Sequence, residues 1–80
     1  MNVTIRLMGS MKKLLPANDR MCGSSILDIE PGTTLTRFID SVGIKSGGAL
    51  VVLVNGRYPE AGRELKDGDV VAVFPPVAGG

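Results

Sequence analysis

The last six residues of the chain hold the group best suited to chemistry, the C-terminal carboxylate of Gly80. Two adjacent prolines cannot pair into a sheet ladder, and the small side chains that follow favour a thin, extended thread. This tail consists of Pro75, Pro76, Val77, Ala78, Gly79 and Gly80. Its carboxylate has an ordinary pKa of about 3.5, so it is ionised near neutral pH and can attack a nucleotide phosphate that another enzyme orients. We therefore predict that Gly80 is the reactive residue and that the tail threads into a partner.

An inert terminus is the alternative interpretation of the same residues. Frayed chain ends are common, and two glycines can also be the remnant of cloning. However, an apolar run ends immediately before Pro75. A strand at this point would give the tail a fixed exit direction, which favours the functional interpretation.

Side chains that usually support catalysis are nearly absent. The 80 residues include no His, no Trp and one Cys, Cys22. This composition excludes a His-based triad, a Cys-rich zinc site and a four-Cys iron–sulfur cluster, so we predict no metal site and no catalytic side chain. Cys22 cannot form an internal disulfide, which fits a reducing cytoplasm. A lone loop thiol with only Arg20 nearby to activate it is interpreted as inert rather than as a sulfur relay.

The size and charge of the chain narrow the remaining functional classes. Eighty residues, 44% of them hydrophobic, with mean hydropathy +0.23, suffice for one domain with one core. Nine basic and eight acidic residues give a formal net charge of +1, and there are only three aromatic side chains, which argues against nucleic acid as a partner. No segment reaches the roughly 20 apolar residues that a membrane span needs. We predict a cytoplasmic protein without a membrane partner.

Alternation of polar and apolar residues predicts two strands in the first part of the chain. The alternation covers Asn2 to Leu7 and returns from Ser25 to Glu30, where Pro31 and Gly32 end it. Between them, the segment Met8 to Ser24 shows no regular spacing of apolar residues and is predicted to be a long loop with a helical turn. The two strands are expected to pair as a hairpin.

A single amphipathic helix is predicted from residues 34 to 42. Its apolar stripe has the i, i+3, i+4, i+7 spacing and consists of Leu35, Phe38, Ile39 and Val42. Thr33 or Thr34 can cap its N-terminus, and Gly43 fits a left-handed C-terminal position. A short, one-sided helix must lie across a sheet.

The remaining strands are predicted from apolar runs and turn residues. Ala49 to Val54 is continuously apolar and rich in β-branched residues, typical of a strand covered on both faces or held against a partner. Asn55-Gly56 predicts a type I′ turn into a short strand at Arg57 and Tyr58. Asp67-Gly68-Asp69 predicts a tight turn before the strand Val70 to Phe74. The fold class is α+β, with residues 1–74 as the domain and 75–80 as its tail.

A second apolar face is predicted on this sheet. Strict alternation places four side chains opposite the helix-covered face: Phe74, Ala72, Leu53 and Val51. They could form a second buried layer, but one helix covers one face only, so we interpret them as a partner-binding surface. Three nearby basic residues could steer an acidic partner, although scattered charges of this kind more often only aid solubility. They are Arg57, Arg63 and Lys66.

Together these motifs resemble the small subunit of molybdopterin synthase, a ubiquitin-like sulfur carrier of the MoaD and ThiS type. The resemblance rests on Pro31-Gly32-Thr33-Thr34, Asn55-Gly56, Asp67-Gly68-Asp69 and the end from Phe74 to Gly80. It covers nearly the whole chain and is firmest over the last 16 residues. It is weakest from Met8 to Ser24.

The resemblance implies a β-grasp fold of four to five strands and a reaction cycle centred on Gly80. An E1-like adenylyltransferase of the MoaB, MoeB or ThiF type would adenylate the carboxylate with ATP, and a sulfur donor would convert the adenylate to a thiocarboxylate. The large synthase subunit, of the MoaE type, would then receive the sulfur to build the molybdopterin dithiolene. No cofactor would be bound permanently, and ATP would be used by the activating enzyme.

Three other functions remain open at this point. The sulfur could go to another acceptor, such as thiazole, cysteine or tRNA. Gly80 could instead end in an isopeptide bond to a lysine, as in a protein modifier. The domain could also be a β-grasp interaction module with an inert tail.

Overall fold

The structure is a computed structural model and describes residues 1–44, 51–60 and 62–74. Four strands and one α-helix make up the fold: β1 (Asn2–Leu7), β2 (Ser24–Asp28), α1 (Leu35–Val42), β3 (Val51–Val54) and β4 (Val70–Phe74). Two short 3₁₀ helices, Gly9–Leu14 and Ala17–Asp19, occupy the predicted loop between β1 and β2. The predicted elements of residues 1–44 and β4 are thus confirmed, although β2 begins one residue earlier and ends two residues earlier than predicted, and α1 begins one residue later. The first two residues of the predicted third strand, 49 and 50, lie outside the described residues.

The strands form a mixed sheet in the order β2-β1-β4-β3. β1 pairs antiparallel with β2, as the predicted hairpin requires, and parallel with β4, where Ile5 lies opposite Val71. β3 pairs antiparallel with β4, with Val52 opposite Val73. The predicted α+β class is confirmed, and β4 lies in the interior of the sheet, with a partner strand on each side.

The helix covers one face of this sheet. Phe38 is completely buried, as are Val3, Ile5 and Leu7 of β1 and Val71 and Val73 of β4. Leu35 and Ile39 of the helical stripe belong to the same core, and Val42 packs against its edge. The alternation of β1 and the stripe of α1 therefore meet in one hydrophobic layer, which holds β4 in position.

Both ends of α1 are fixed by local chemistry. The Thr34 hydroxyl accepts a hydrogen bond from the Arg37 N–H at 3.3 Å, so Thr34 is the N-cap. The Thr33 hydroxyl instead donates to the Glu30 carbonyl at 2.7 Å and closes the preceding turn. Gly43 ends the helix with φ of 94°, a left-handed conformation that glycine adopts readily. Over the described ranges, no helix has both the length and the apolar character to cross a membrane.

Candidate functional site

The predicted tail, Pro75 to Gly80, lies outside the described residues. What the structure defines is the strand from which the tail continues. β4 is paired along both flanks, and the Met8 N–H donates to the Val73 carbonyl at 3.3 Å beside its last residues. Phe74, which precedes the tail directly, is therefore held by an interior strand packed on the core.

The predicted second apolar face is present on the sheet surface that α1 does not cover. Val51 lies opposite Phe74 and Leu53 lies opposite Ala72 in the β3–β4 register, so all four side chains share one side. Val51 is 39% exposed, and the other three are partly buried. We call these four residues, Val51, Leu53, Ala72 and Phe74, the outer apolar face. None of the four is fully buried, so they do not form the buried second layer that was the alternative.

The apolar run of β3 suggested a strand covered on both faces or held against a partner. β3 lies at an edge of the sheet and pairs only with β4 among the described strands. Val54 is buried, whereas Val51 is exposed. The continuous apolar pattern therefore reflects a core face and the outer apolar face on the same strand.

The Asn55-Gly56 turn is confirmed. Both residues have positive φ, 54° for Asn55 and 80° for Gly56, as a two-residue type I′ turn requires. Val54 and Arg57 exchange backbone hydrogen bonds of 2.8 and 3.1 Å across it. The predicted short strand at Arg57 and Tyr58 is reduced to this single bridge.

A polar cluster that the sequence did not predict ties this turn to the start of β4. The Asp69 carboxylate accepts hydrogen bonds from the Asn55 amide at 3.0 Å, the Lys66 backbone N–H at 2.8 Å and the Arg63 guanidinium at 3.3 Å. The Asn55 side-chain oxygen in turn accepts from the Val70 N–H at 2.9 Å. We call Asp69 and these three donors the Asp69 cluster. It fixes the point at which β4 begins.

Asp69 is buried, with 6% of its surface exposed. Burial by itself would raise the pKa of Asp69, but the hydrogen bonds from Lys66, Asn55 and Arg63 and the positive charge of Arg63 outweigh it. The pKa of the Asp69 carboxyl therefore lies below its ordinary value. The cluster stays charged and intact at neutral pH.

The basic residues predicted to be scattered surface charges have different environments. Arg63 is a structural residue, because its guanidinium forms an ion pair with the buried Asp69. Arg57 and Lys66 are exposed. The only signal in the sequence for the role of Arg63 was its position six residues before Asp69, which carries no specific meaning by itself.

Cys22 is a free, exposed thiol in the turn before β2. The described residues bring no three His, Cys, Asp or Glu side chains together in a group that could hold a metal. Two open depressions of about 510 and 530 Å³ lie beside the 28–33 turn and the 54–60 hairpin. Neither is lined by the outer apolar face.

Comparisons with family models and with solved structures agree on one family. The ThiS family model matches residues 8–80. Among solved structures, a protein of Pyrococcus furiosus assigned as molybdopterin converting factor subunit 1 is similar, with TM-score 0.72 and 25% identity over 96% of this chain and 99% of that chain. No curated protein matches the sequence.

Two further structures share the fold. Small archaeal modifier protein 1 of Haloferax volcanii has TM-score 0.70 and 20% identity over 95% of this chain and 98% of its own. One chain in a complex of subunits 1 and 2 of molybdopterin-converting factor from Helicobacter pylori matches with TM-score 0.62 and 23% identity, over the full length of both chains. The predicted β-grasp fold is confirmed by these neighbours.

Proposed function

The chain belongs to the ThiS family, and we propose that its C-terminal glycine carries sulfur for the molybdopterin dithiolene. At the level of the family, it is a ubiquitin-like carrier of the ThiS and MoaD type or a ubiquitin-like modifier. The observation that carries the proposal is the extent of the family match, which runs through the tail to Gly80. The similarity to the Pyrococcus furiosus protein favours the molybdopterin branch.

In the proposed activation step, the chain supplies the nucleophile and an E1-like enzyme supplies the catalytic groups. One oxygen of the Gly80 carboxylate attacks the α-phosphorus of ATP, and the bond from that phosphorus to pyrophosphate breaks. A hydrosulfide equivalent from the sulfur donor then attacks the acyl carbon, and AMP leaves with the electron pair of the broken carbon–oxygen bond. The product is the Gly80 thiocarboxylate.

In the proposed delivery step, the thiocarboxylate sulfur attacks a carbon of the pterin substrate, and the oxygen substituent on that carbon leaves with the electron pair of the broken carbon–oxygen bond. Water then cleaves the bond between the acyl carbon and sulfur, which leaves the sulfur on the acceptor and restores the Gly80 carboxylate. Each carrier brings one sulfur, so the two sulfurs of a dithiolene require two charged carriers. Glycine at the terminus leaves the acyl carbon sterically open to the two nucleophiles that attack it, hydrosulfide and water.

The outer apolar face is the proposed contact with the large synthase subunit. Phe74 is its residue nearest to the tail, and Val51 lies beside it on β3. A partly exposed apolar patch next to a tail that must enter a partner is suited to bury against that partner. The Helicobacter pylori structure is a complex of subunits 1 and 2, which supports a partner of the MoaE type.

A protein-modifier function is the second candidate, because the Haloferax volcanii neighbour is a small archaeal modifier protein. The same adenylated Gly80 would then be attacked by a lysine amine rather than by sulfur. Mass measurement of the protein isolated from its source separates the two. Exchange of one oxygen for sulfur marks a carrier, whereas a conjugate to lysine marks a modifier.

The decisive experiment alters the length of the tail. Deletion of Gly80, or addition of one residue after it, moves the reactive carboxylate by about 3.5 Å, more than a positioned acyl or phosphoryl transfer tolerates. We expect ATP–pyrophosphate exchange with the cognate E1-like enzyme and thiocarboxylate formation to be lost in both variants. Thermal unfolding should change little, since the core residues precede Pro75.

Cys22→Ser is the matched control, because it removes the chain's only thiol without touching the tail. We expect this variant to be adenylated and thiolated like the wild type. If the Gly80 deletion is still adenylated and thiolated, Gly80 is not the reactive terminus and the proposed function is wrong. If Cys22→Ser loses thiolation, the sulfur passes through Cys22 instead.

A further inference from the structure

Among the residues that the structure describes, the excess of positive charge lies at one end of the sheet. β1 ends at Leu7 and β2 begins at Ser24, so the connecting segment 8–23 lies at the end of the sheet where β4, parallel to β1, also ends. This segment carries Lys12, Lys13 and Arg20 against a single acidic residue, Asp19. In the other described parts of the chain beyond β1, seven acidic side chains outnumber four basic ones.

The exposed side chain of Lys12 lies beside Gly23 at this end. The backbone of Gly23, beside Leu7, packs against its side chain: a Cβ built on Gly23 would lie 3.2 Å from Lys12 Cε. The Leu7 N–H donates to the Gly23 carbonyl at 2.8 Å, which fixes Gly23 to the last residue of β1. Only β1 separates this position from β4, a lateral distance of about 10 Å at two strand spacings.

Arg6 continues the positive charge onto the sheet. It is exposed, and it lies opposite Ala72 in the parallel register of β1 and β4, so its side chain borders the outer apolar face. Arg6, Lys12 and Lys13 are called the basic rim below. The rim therefore adjoins both the outer apolar face and the strand end from which the tail continues.

We propose that the basic rim docks against an acidic surface of the E1-like enzyme, beside the cleft that accepts the tail of this chain. The inference rests on the proposed function and adds the chemistry of the partner surface. An apolar patch bordered by charges of one sign fits an interface with an apolar centre and a complementary charged border. The outer apolar face beside the rim favours a protein over a nucleic acid as the occupant.

The rim acts on the encounter between the two proteins. Complementary charge raises association rates by about 10- to 1,000-fold at low ionic strength, and the effect fades when the Debye length falls to a few Å. It would orient the carrier with the end of β4 towards the partner before the apolar surfaces touch. The tail then has the correct direction to enter the cleft.

The test compares two double variants of equal charge. Lys12→Glu/Lys13→Glu reverses two charges of the rim, and Arg37→Glu/Arg57→Glu reverses two exposed charges elsewhere. Lys13→Glu alone is included, because Lys12 contacts Gly23 and its replacement could disturb the fold. Adenylation by the cognate E1-like enzyme is measured as KM and kcat for the carrier, at low salt and at about 0.5 M salt, where screening is strong.

We expect KM for Lys12→Glu/Lys13→Glu to rise about tenfold or more at low salt, with kcat unchanged, and to approach the wild-type value at high salt. Lys13→Glu should show a smaller rise, and the Arg37→Glu/Arg57→Glu control should stay near the wild type. Equal effects of the two double variants would attribute the change to net charge and overturn the inference. A wild-type KM that does not depend on salt would overturn it too.

These outcomes are distinguishable from failure of the proposed function. If the wild type is adenylated and the rim variants behave like it, the proposed function stands and only the rim inference falls. If the wild type is not adenylated at all, both fall. Tighter binding of the rim to a short duplex DNA than to the enzyme would replace the acidic protein by nucleic acid and likewise overturn the inference.

Discussion

Removal of the Asp69 carboxylate should destabilise the domain through the loss of one particular hydrogen bond. In Asp69→Ala, the Lys66 backbone N–H loses a charged acceptor at 2.8 Å, and a hydrogen bond of this kind contributes about 1.5–3 kcal/mol. Asn55 is exposed and the Arg63 side chain is 33% exposed, so both can bind water instead and add little. We expect a loss of about 2–3 kcal/mol in the free energy of unfolding.

For a domain of this size, that loss lowers the melting temperature by about 10–20 °C. Urea and thermal unfolding followed by circular dichroism measure it. Asp40→Asn is the control, because Asp40 is an exposed aspartate on α1 and its change should stay within about 0.5 kcal/mol. A loss below about 0.5 kcal/mol in Asp69→Ala would refute the role assigned to the Asp69 cluster.

The pH dependence provides an independent test of the same cluster. Because the folded-state pKa of Asp69 lies below its ordinary value, its charge stabilises the fold above the unfolded pKa of about 3.9. That contribution is lost as the pH falls through the folded-state pKa. The stability difference between wild type and Asp69→Asn should therefore be largest near pH 7 and shrink below about pH 4. A difference that stays constant into acid would contradict the charged cluster.

Three further substitutions test the core, the outer apolar face and the helix cap. Phe38→Ala should cost about 3–5 kcal/mol, because the ring is completely buried, and a loss below about 1 kcal/mol in urea unfolding would show that it is peripheral. Phe74→Ala should weaken the affinity for the large synthase subunit, measured by calorimetry, about tenfold or more and leave the fold intact. Tyr58→Ala is the control and should not weaken it, because Tyr58 is 79% exposed in the hairpin after β3. Equal affinities of the two variants would remove Phe74 from the interface. Thr34→Ala should lower stability by about 0.5–1 kcal/mol, since it removes the hydrogen bond to the Arg37 N–H, and an unchanged urea midpoint would contradict that cap.

Local patterns were enough to predict most of the secondary structure of the described residues. The alternation from Asn2 to Leu7 gave both ends of β1 as the structure has them, and Val70 to Phe74 did the same for β4. The helix required its apolar stripe, a threonine cap and Gly43, which all lie within ten residues of one another. These features depend on backbone preferences and side-chain periodicity over a few residues, so the sequence expresses them directly.

Alternation also predicted which residues share the outer apolar face, but it did not predict how far they are exposed. Val51 and Phe74 are partners in the β3–β4 register, as the alternation of side chains along the two strands requires. The edge position of β3 was not predictable, because a run of apolar residues is equally compatible with an interior strand. Strand order decides exposure, and strand order is a property of pairings between distant segments.

By itself, the sequence determined the elements of the fold, the parity of the sheet faces and the choice of Gly80 as the candidate reactive residue. The tertiary structure alone decided that β4 lies between β1 and β3, that Arg63 pairs with a buried Asp69, and that the basic rim adjoins the outer apolar face. The physical reason is the separation along the chain over which each effect acts. Propensity, periodicity and turn chemistry act between near neighbours, whereas parallel pairing of Arg6 with Ala72 joins residues from opposite ends of the domain, for which no local pattern exists.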